Sequence, residues 1–388
     1  MIYSIPYMIF FFFLLVLSVI VSEKKEDEAL CRNLTYLAIT VFFIFFGCRG
    51  YIWHDWTIYA NNFDKISWSD LFSYDYTKHR EPIWLFFELI CKTIVDDYFF
   101  MAFVQCLINT VLLVRFFRKY SISVLFALAT YLAFNGFEIS INLMRNSMAI
   151  FIFLNAIPCI EEKKIGRYLL LCTIATGIHF SSVIYIPMYF ILNRNINKWV
   201  FLAVVLVSYA VLFSNMSIVL KLVGAIGISE GIFATKIDAY SGFGMFGVSR
   251  FMLLQHFIIT MMVFCYYEKL KEMSPHNRIF INALLICIVG SYLTSEFTEM
   301  SKRIGILFSF SFWILSGYLI KCCYYINNRR LFIGFMTLVL IFNAYTSTAE
   351  KIKEYQNWLF GTAEPYEIRL NSFNRNFVEI KQINSNKK

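Results

Sequence analysis

Long apolar runs recur from one end of the chain to the other, and few of them hold a charge. They fall at Met1–Val21, Leu34–Cys48, Tyr98–Val114, Ser121–Phe137, Leu143–Ile160, Tyr168–Leu192, Trp199–Leu220, Phe251–Tyr267, Ile279–Ser295, Ile304–Ile320 and Leu331–Tyr345. A helix needs about 20 mainly apolar residues to cross a bilayer, where it satisfies its own backbone hydrogen bonds. Of the 388 residues 59% are hydrophobic and 16% charged, whereas a soluble domain carries about a quarter charged. Too little polar surface remains to cover a water-soluble globule. Soluble, disordered, collagenous and disulfide-scaffold classes are excluded. The expectation is an all-α polytopic transmembrane bundle of about 12 spans, one integral membrane domain over 1–388.

Met1–Val21 lacks a basic leader and a small-residue cleavage site, so it reads as a retained first helix. Tyr168–Leu192 carries Thr176, Gly177, His179, Ser181 and Ser182 in its middle. Two short helices meeting at His179 fit this better than one tilted span. The ten Cys contain no C-x-x-C pair and lie mostly in apolar stretches, where they act as small hydrophobes.

Basic residues orient the chain. Six short segments around Lys24–Arg32, Arg115–Lys119, Lys163–Arg167, Arg194–Lys198, Lys269–Arg278 and Lys321–Arg330 hold 17 of the 35 Lys and Arg, and mark the inner side. Segments 49–97 and 221–250 are less basic for their length and become outer loops, with 346–388 as an outer tail. Pro82–Val95 is apolar, but counting it as a span would invert its neighbours. With Glu88 and Lys92 inside it, an amphipathic helix on the outer membrane surface resolves the conflict. The +9 net charge is thus largely orientation signal and tail, with no nucleic-acid partner implied.

The chemistry gathers outside. Arg49–Glu81 holds three of the seven Trp and two of the five His. Asp55, Tyr59 and Phe63 recur every four residues, on one helix face. Aromatic rings beside carboxylates suit sugar recognition, and an interfacial aromatic belt is the competing account of the rings. Such a belt has no use for Asp55. Arg145 heads an apolar helix in Asn142-Leu-Met-Arg145-Asn146, where a charge persists by pairing, by snorkelling or by holding a phosphate. His179 stands either as a packed side chain or as a proton acceptor. Glu299 and Arg303 have the spacing of a helix ion pair. Arg49, Asp55, Glu81, Arg145, His179, Arg250, Glu299 and Arg303 all fall outside under one topology, which suits an anionic lipid head group bearing sugar. Inside there is no Walker loop, G-x-G-x-x-G, H-E-x-x-H or D-x-D pair. No cofactor, metal or nucleotide-sugar site is expected, and Asp96-Asp97 read as a helix cap.

Several short motifs occur in order: Arg49-Gly50, Asp55-x-x-x-Tyr59-x-x-x-Phe63, Glu81-Pro82, Met144-Arg145-Asn146-x-x-Ala149, His179-Phe-Ser181 and Glu299-x-x-x-Arg303-Ile. The chain thereby resembles the EpsG/Wzy-type polysaccharide polymerases, related to the glycosyltransferase C superfamily. Where that family usually has Gly two residues before the Asp, this chain has Trp53; where Gln often follows the helix Arg, it has Asn146. The resemblance implies a glycosyltransferase C-like fold with surface helices in the first outer loop. It implies a bacterial cytoplasmic-membrane enzyme that joins undecaprenyl-diphosphate-linked oligosaccharide units on the outer face without ATP. A chain-length regulator and a flippase of the same pathway are the implied protein partners. The assigned roles are Arg145 and Arg303 on the diphosphate, Asp55 or His179 as base, and Arg49, Tyr59, Glu81, Arg250 and Glu299 on the substrate. A flippase of lipid-linked sugars and an O-antigen ligase are the alternative readings. An acyltransferase would need more than His54-Asp55.

Overall fold

The computed structural model describes residues 2–75, 80–214, 219, 221 and 249–385. Among them all regular structure is helical, apart from an isolated bridge between Arg49 and Asn357. The loop expected at 221–250 lies, save 221, 249 and 250, outside the described residues. Five helices are long and apolar enough to cross a membrane: Ile2–Glu23, Glu28–Gly47, Tyr98–Tyr120, Val124–Ile141 and Ile326–Thr348. Two bent pairs raise that number to seven: Arg250–Cys265 with Tyr267–Met273 at 72°, and Thr298–Phe308 with Phe310–Cys322 at 54°. Several other apolar runs become shorter helices, and the causes are local. Pro158 lacks an N–H, Asn155 Nδ2 donates to the Phe151 and Leu112 carbonyls, and His179 leaves helical geometry at φ −151°.

The contacts divide the chain into two compact units, Met1–Tyr189 with Leu340–Lys388, and Phe190–Val339. The first unit begins with α1 (Ile5–Glu23), α2 (Glu28–Gly47), α3 (Trp56–Lys65), α4 (Trp68–Phe72), α5 (Pro82–Ile94) and α6 (Tyr98–Tyr120). It continues with α7 (Val124–Tyr131), α8 (Phe137–Ile141), α9 (Met144–Leu154), α10 (Ile157–Glu161) and α11 (Ile165–Ile178). Carboxylates start two of these helices. Asp27 accepts from Leu30 N and Asp97 from Phe100 N, both at 2.9 Å, the second as its position before a helix predicts.

The first loop folds into the unit. Trp56, Tyr59, Ala60 and Phe63 share the i, i+3, i+4, i+7 face of α3 and are buried with Trp84 of α5, Tyr98 and Met101 of α6, and Met144 and Met148 of α9. Lys92 Nζ donates to the Phe63 and Asp64 carbonyls at 2.7 and 2.8 Å, closing the C-terminal end of α3. At 13 residues α5 is about 20 Å long, short of the roughly 30 Å hydrocarbon core.

The C-terminal segment returns to this loop. Gly50 N donates to Gln356 O at 2.8 Å and Trp358 N to Cys48 O at 2.9 Å. Arg369 Nε donates to Tyr51 O at 2.9 Å from the helix Tyr366–Ser385. Arg49 is buried at this crossing, with Nη1 donating to Phe46 O at 2.7 Å.

The second unit contains the helices Lys198–Phe213, Asn277–Leu293 and the two bent pairs. Its buried polar pair joins His256 Nδ1 to the Tyr292 hydroxyl at 3.1 Å.

Candidate functional site

The head of α9 is fixed in place by α6. Gln105 Nε2 donates to Met144 O and to Ser147 Oγ, both at 3.1 Å, and Asn109 Nδ2 donates to Ser147 Oγ at 2.9 Å. These polar side chains sit in an otherwise apolar helix, so breaking them strands buried donors. Arg145, next after Met144, is thereby held in register. Its Nε donates to the Tyr59 hydroxyl at 3.2 Å and its Nη1 pairs with Glu81 Oε2. Its Nη2 makes no hydrogen bond among the described residues.

Glu81 precedes Pro82, which holds it in extended geometry at φ −54°, ψ 139° at the start of α5. Its second oxygen, Oε1, accepts from Phe180 N at 2.9 Å and stands 3.3 Å from His179 Nδ1. The break after α11 makes this possible. Because His179 is extended, the Phe180 N–H leaves the helical direction and points at the carboxylate. Gly177 brings the two helices together, since a Cβ there would lie 2.6 Å from Ile83 Cδ1. Burial alone would raise the Glu81 pKa, but His179, Arg145 and the Phe180 N–H outweigh it and hold the carboxyl at about 2. Glu81 is a carboxylate at every physiological pH.

Asp55 is fixed through its backbone. Asn142 Oδ1 accepts from His54 N at 3.2 Å and from Asp55 N at 2.9 Å. Trp53 reaches this turn with φ +78°, the left-handed region where the related pattern has glycine. The indole is buried, with Lys353 Nζ 4.5 Å from the ring centre, and Trp53 N donates to Ile352 O at 3.3 Å. Packing on the returning C-terminal segment thus holds a backbone that a β-carbon disfavours.

Arg80 forms a second cationic position. Its guanidinium lies 4.3 Å over the Tyr59 ring, pairs with Glu88 Oε1 at 2.9 Å and donates to Ile58 O at 3.2 Å. Glu88 is 1% exposed. Burial raises its pKa to about 6, against the lowering effect of Arg80.

The structure therefore joins Tyr59, Glu81, Arg145 and His179, and sets Asp55 on the same loop. Tyr59 and Trp56 turn their rings into the core, and Tyr59 presents its hydroxyl to Arg145. Arg49 lies at the C-terminal crossing, with Nη2 making no hydrogen bond among the described residues. Arg250, Glu299 and Arg303 belong to the second unit, where Glu299 and Arg303 form the loose helix pair their spacing predicts, at 4.0 Å. Among the described residues no three His, Cys, Asp or Glu side chains gather as metal ligands. Arg80, Glu88 and Asn142 have no functional role in the sequence reading, where Glu88 marks a surface helix and Asn142 opens the Arg145 motif. A signal for Arg80 was present, since it adjoins Glu81.

Chemically, the cluster offers a guanidinium with an uncommitted edge, a carboxyl group held toward its ionised form and a histidine whose Nδ1 lies 3.3 Å from it. This set can bind an anion and take a proton beside it. No curated protein and no solved structure matches the chain. A family model matches residues 32–358, a stretch that takes in every residue of the cluster, and the chain belongs to the EpsG family.

Proposed function

We propose that this membrane protein is a polysaccharide polymerase that joins lipid-diphosphate-linked oligosaccharide units by glycosyl transfer on the outer face of the bacterial cytoplasmic membrane. The observation that carries the reading is the Arg145–Glu81–His179 cluster. Arg145 holds the donor diphosphate through Nη2 while Tyr59 and Glu81 fix the rest of its guanidinium. The acceptor hydroxyl attacks the anomeric carbon as the bond to the diphosphate oxygen breaks. The leaving group takes the bonding pair, and Arg145 stabilises its growing charge.

His179 takes the hydroxyl proton, with Glu81 orienting the ring as carboxylates orient catalytic histidines elsewhere. Asp55 orients the acceptor from the Asn142-held turn. In the second unit, Arg250, Glu299 and Arg303 are assigned to substrate binding. Undecaprenol is the carrier the resemblance favours, and energy comes from the donor diphosphate.

The test is a strain lacking the protein, complemented with wild type or Arg145→Ala at equal protein level. Polymerase predicts a ladder of surface polysaccharide for wild type and single repeat units for Arg145→Ala. A normal ladder from Arg145→Ala sinks the assignment. A flippase of lipid-linked oligosaccharide is the second reading, favoured by the two bent helix pairs. It predicts complete loss of surface sugar on deletion.

A further inference from the structure

Helix α6 starts beside the cluster, where the Tyr98 hydroxyl meets Met144 Sδ at 3.6 Å. Its other end, Tyr120, is roughly 33 Å away along the helix axis. There a cavity of about 390 Å³ opens between α6 and the α9–α11 turns, lined by Arg115, Arg118, Lys119 and Arg167 with Asn155 and Phe116 among its walls. Glu162 also lines the cavity and Glu161 adjoins it, and both carboxylates are engaged. Glu161 Oε2 takes the Tyr120 hydroxyl at 3.1 Å and Lys119 Nζ at 3.4 Å, and Glu162 takes Lys164 Nζ at 2.7 Å. Arg115 and Arg167 make no hydrogen bond or ion pair among the described residues.

Both arginines stand beside exposed apolar side chains on their helices. Leu107, Val111 and Arg115 recur every four residues on α6, and the two apolar side chains are 44% and 58% exposed. On α11, Leu170 follows Arg167 by three residues and is 60% exposed. Orientation by basic loops accounts for cations at this end of the helices, but it needs no cavity on which they converge. A soluble phosphate would need the cations and not the exposed apolar side chains. We propose that this cavity binds the phosphodiester head group of an anionic phospholipid, with its acyl chains along Leu107, Val111 and Leu170. Arg115 and Arg167 grip the phosphate oxygens. The occupied site ties α6, which braces the head of α9 through Gln105 and Asn109, to α11, which ends at His179.

Native mass spectrometry of the purified full-length protein, titrated with phosphatidylglycerol or phosphatidylcholine, tests this. Wild type should retain phosphatidylglycerol preferentially, and retention should fall as salt rises. The Arg115→Gln/Arg167→Gln double variant should lose roughly thirtyfold in phosphatidylglycerol affinity. Its melting temperature in phosphatidylcholine nanodiscs should match wild type. Equal retention by variant and wild type overturns the proposal, as does salt-independent retention by wild type. Glycerol 3-phosphate binding as tightly as the lipid also overturns it, in favour of a soluble phosphate.

Discussion

Glu81 and Arg145, 64 positions apart in the chain, meet as an ion pair at the heads of two different helices. The pair is asymmetric in what surrounds it. Arg145 also serves the Tyr59 hydroxyl, while Glu81 also serves Phe180 N and His179. Lysine at 145 keeps the charge but cannot reach both partners and a ligand at once. Arg145→Lys should cost ~1.5–3 kcal/mol of transition-state stabilisation, about 10- to 150-fold in polymerisation rate. The measurement is elongation of a synthetic lipid-linked repeat by purified protein. Exchanging the charges, Glu81→Arg with Arg145→Glu, should not restore the rate, because arginine cannot accept from Phe180 N. Full restoration would reduce the pair to a simple charge contact.

Asn142 holds the Asp55 turn by a single oxygen that accepts two backbone N–H groups. Asn142→Ala strands both donors, at ~1–3 kcal/mol for a buried polar group left unsatisfied. Polymerisation should drop by about tenfold or more with the protein still folded. Asn142→Asp keeps the accepting oxygen and should retain most of the rate. Equal losses in the two variants would show that the amide nitrogen, not the oxygen, matters.

How much of this was legible in the sequence depends on the range of the interaction. The break at His179 follows from polar residues inside an apolar run, and the Asp97 cap from a carboxylate before a helix; both are local. Arg145 and His179 could be named from their polar groups in apolar runs, Tyr59 from its spacing with Asp55, and Glu81 from its place in the outer loop. Which of them touch could not, because Glu81 reaches Arg145 and His179 across 64 and 98 positions and only packing decides that. The aromatic loop misled for the same reason. A Trp- and Tyr-rich face can grip a sugar or fill a core, and Trp56, Tyr59 and Phe63 fill the core. The return of Gln356 and Trp358 to Gly50 and Cys48 left no local mark, since it is made of backbone hydrogen bonds.

Glu88 gives the fold a pH dependence of definite sign. Its carboxyl titrates near 6 in the folded protein against 4.5 when unburied. Between these values the folded state binds the extra proton, so the contribution of Glu88 to stability is fully present below pH 4.5 and is lost as pH rises through 6. Glu88→Gln keeps an oxygen for Arg80 and removes the titration. Wild type should lose melting temperature from pH 4.5 to 6.5, and the variant should lose less. Parallel curves for the two proteins would assign the slope to another group.

Trp53 provides the sharpest test of the backbone argument, because two substitutions delete the same indole. Trp53→Gly and Trp53→Ala both empty the buried site beside Lys353, at about 3–5 kcal/mol for a large aromatic side chain. They differ in what they ask of φ +78°. Glycine is ordinarily the worse choice by up to about 1 kcal/mol, through the entropy of the unfolded chain. At a left-handed position the β-carbon costs ~1–2 kcal/mol, which exceeds that entropy and reverses the order. Trp53→Gly should therefore melt above Trp53→Ala, with both below wild type. If alanine is the more stable of the two, the turn before Asp55 relaxes out of the left-handed region once the indole is gone, and packing alone was holding it there.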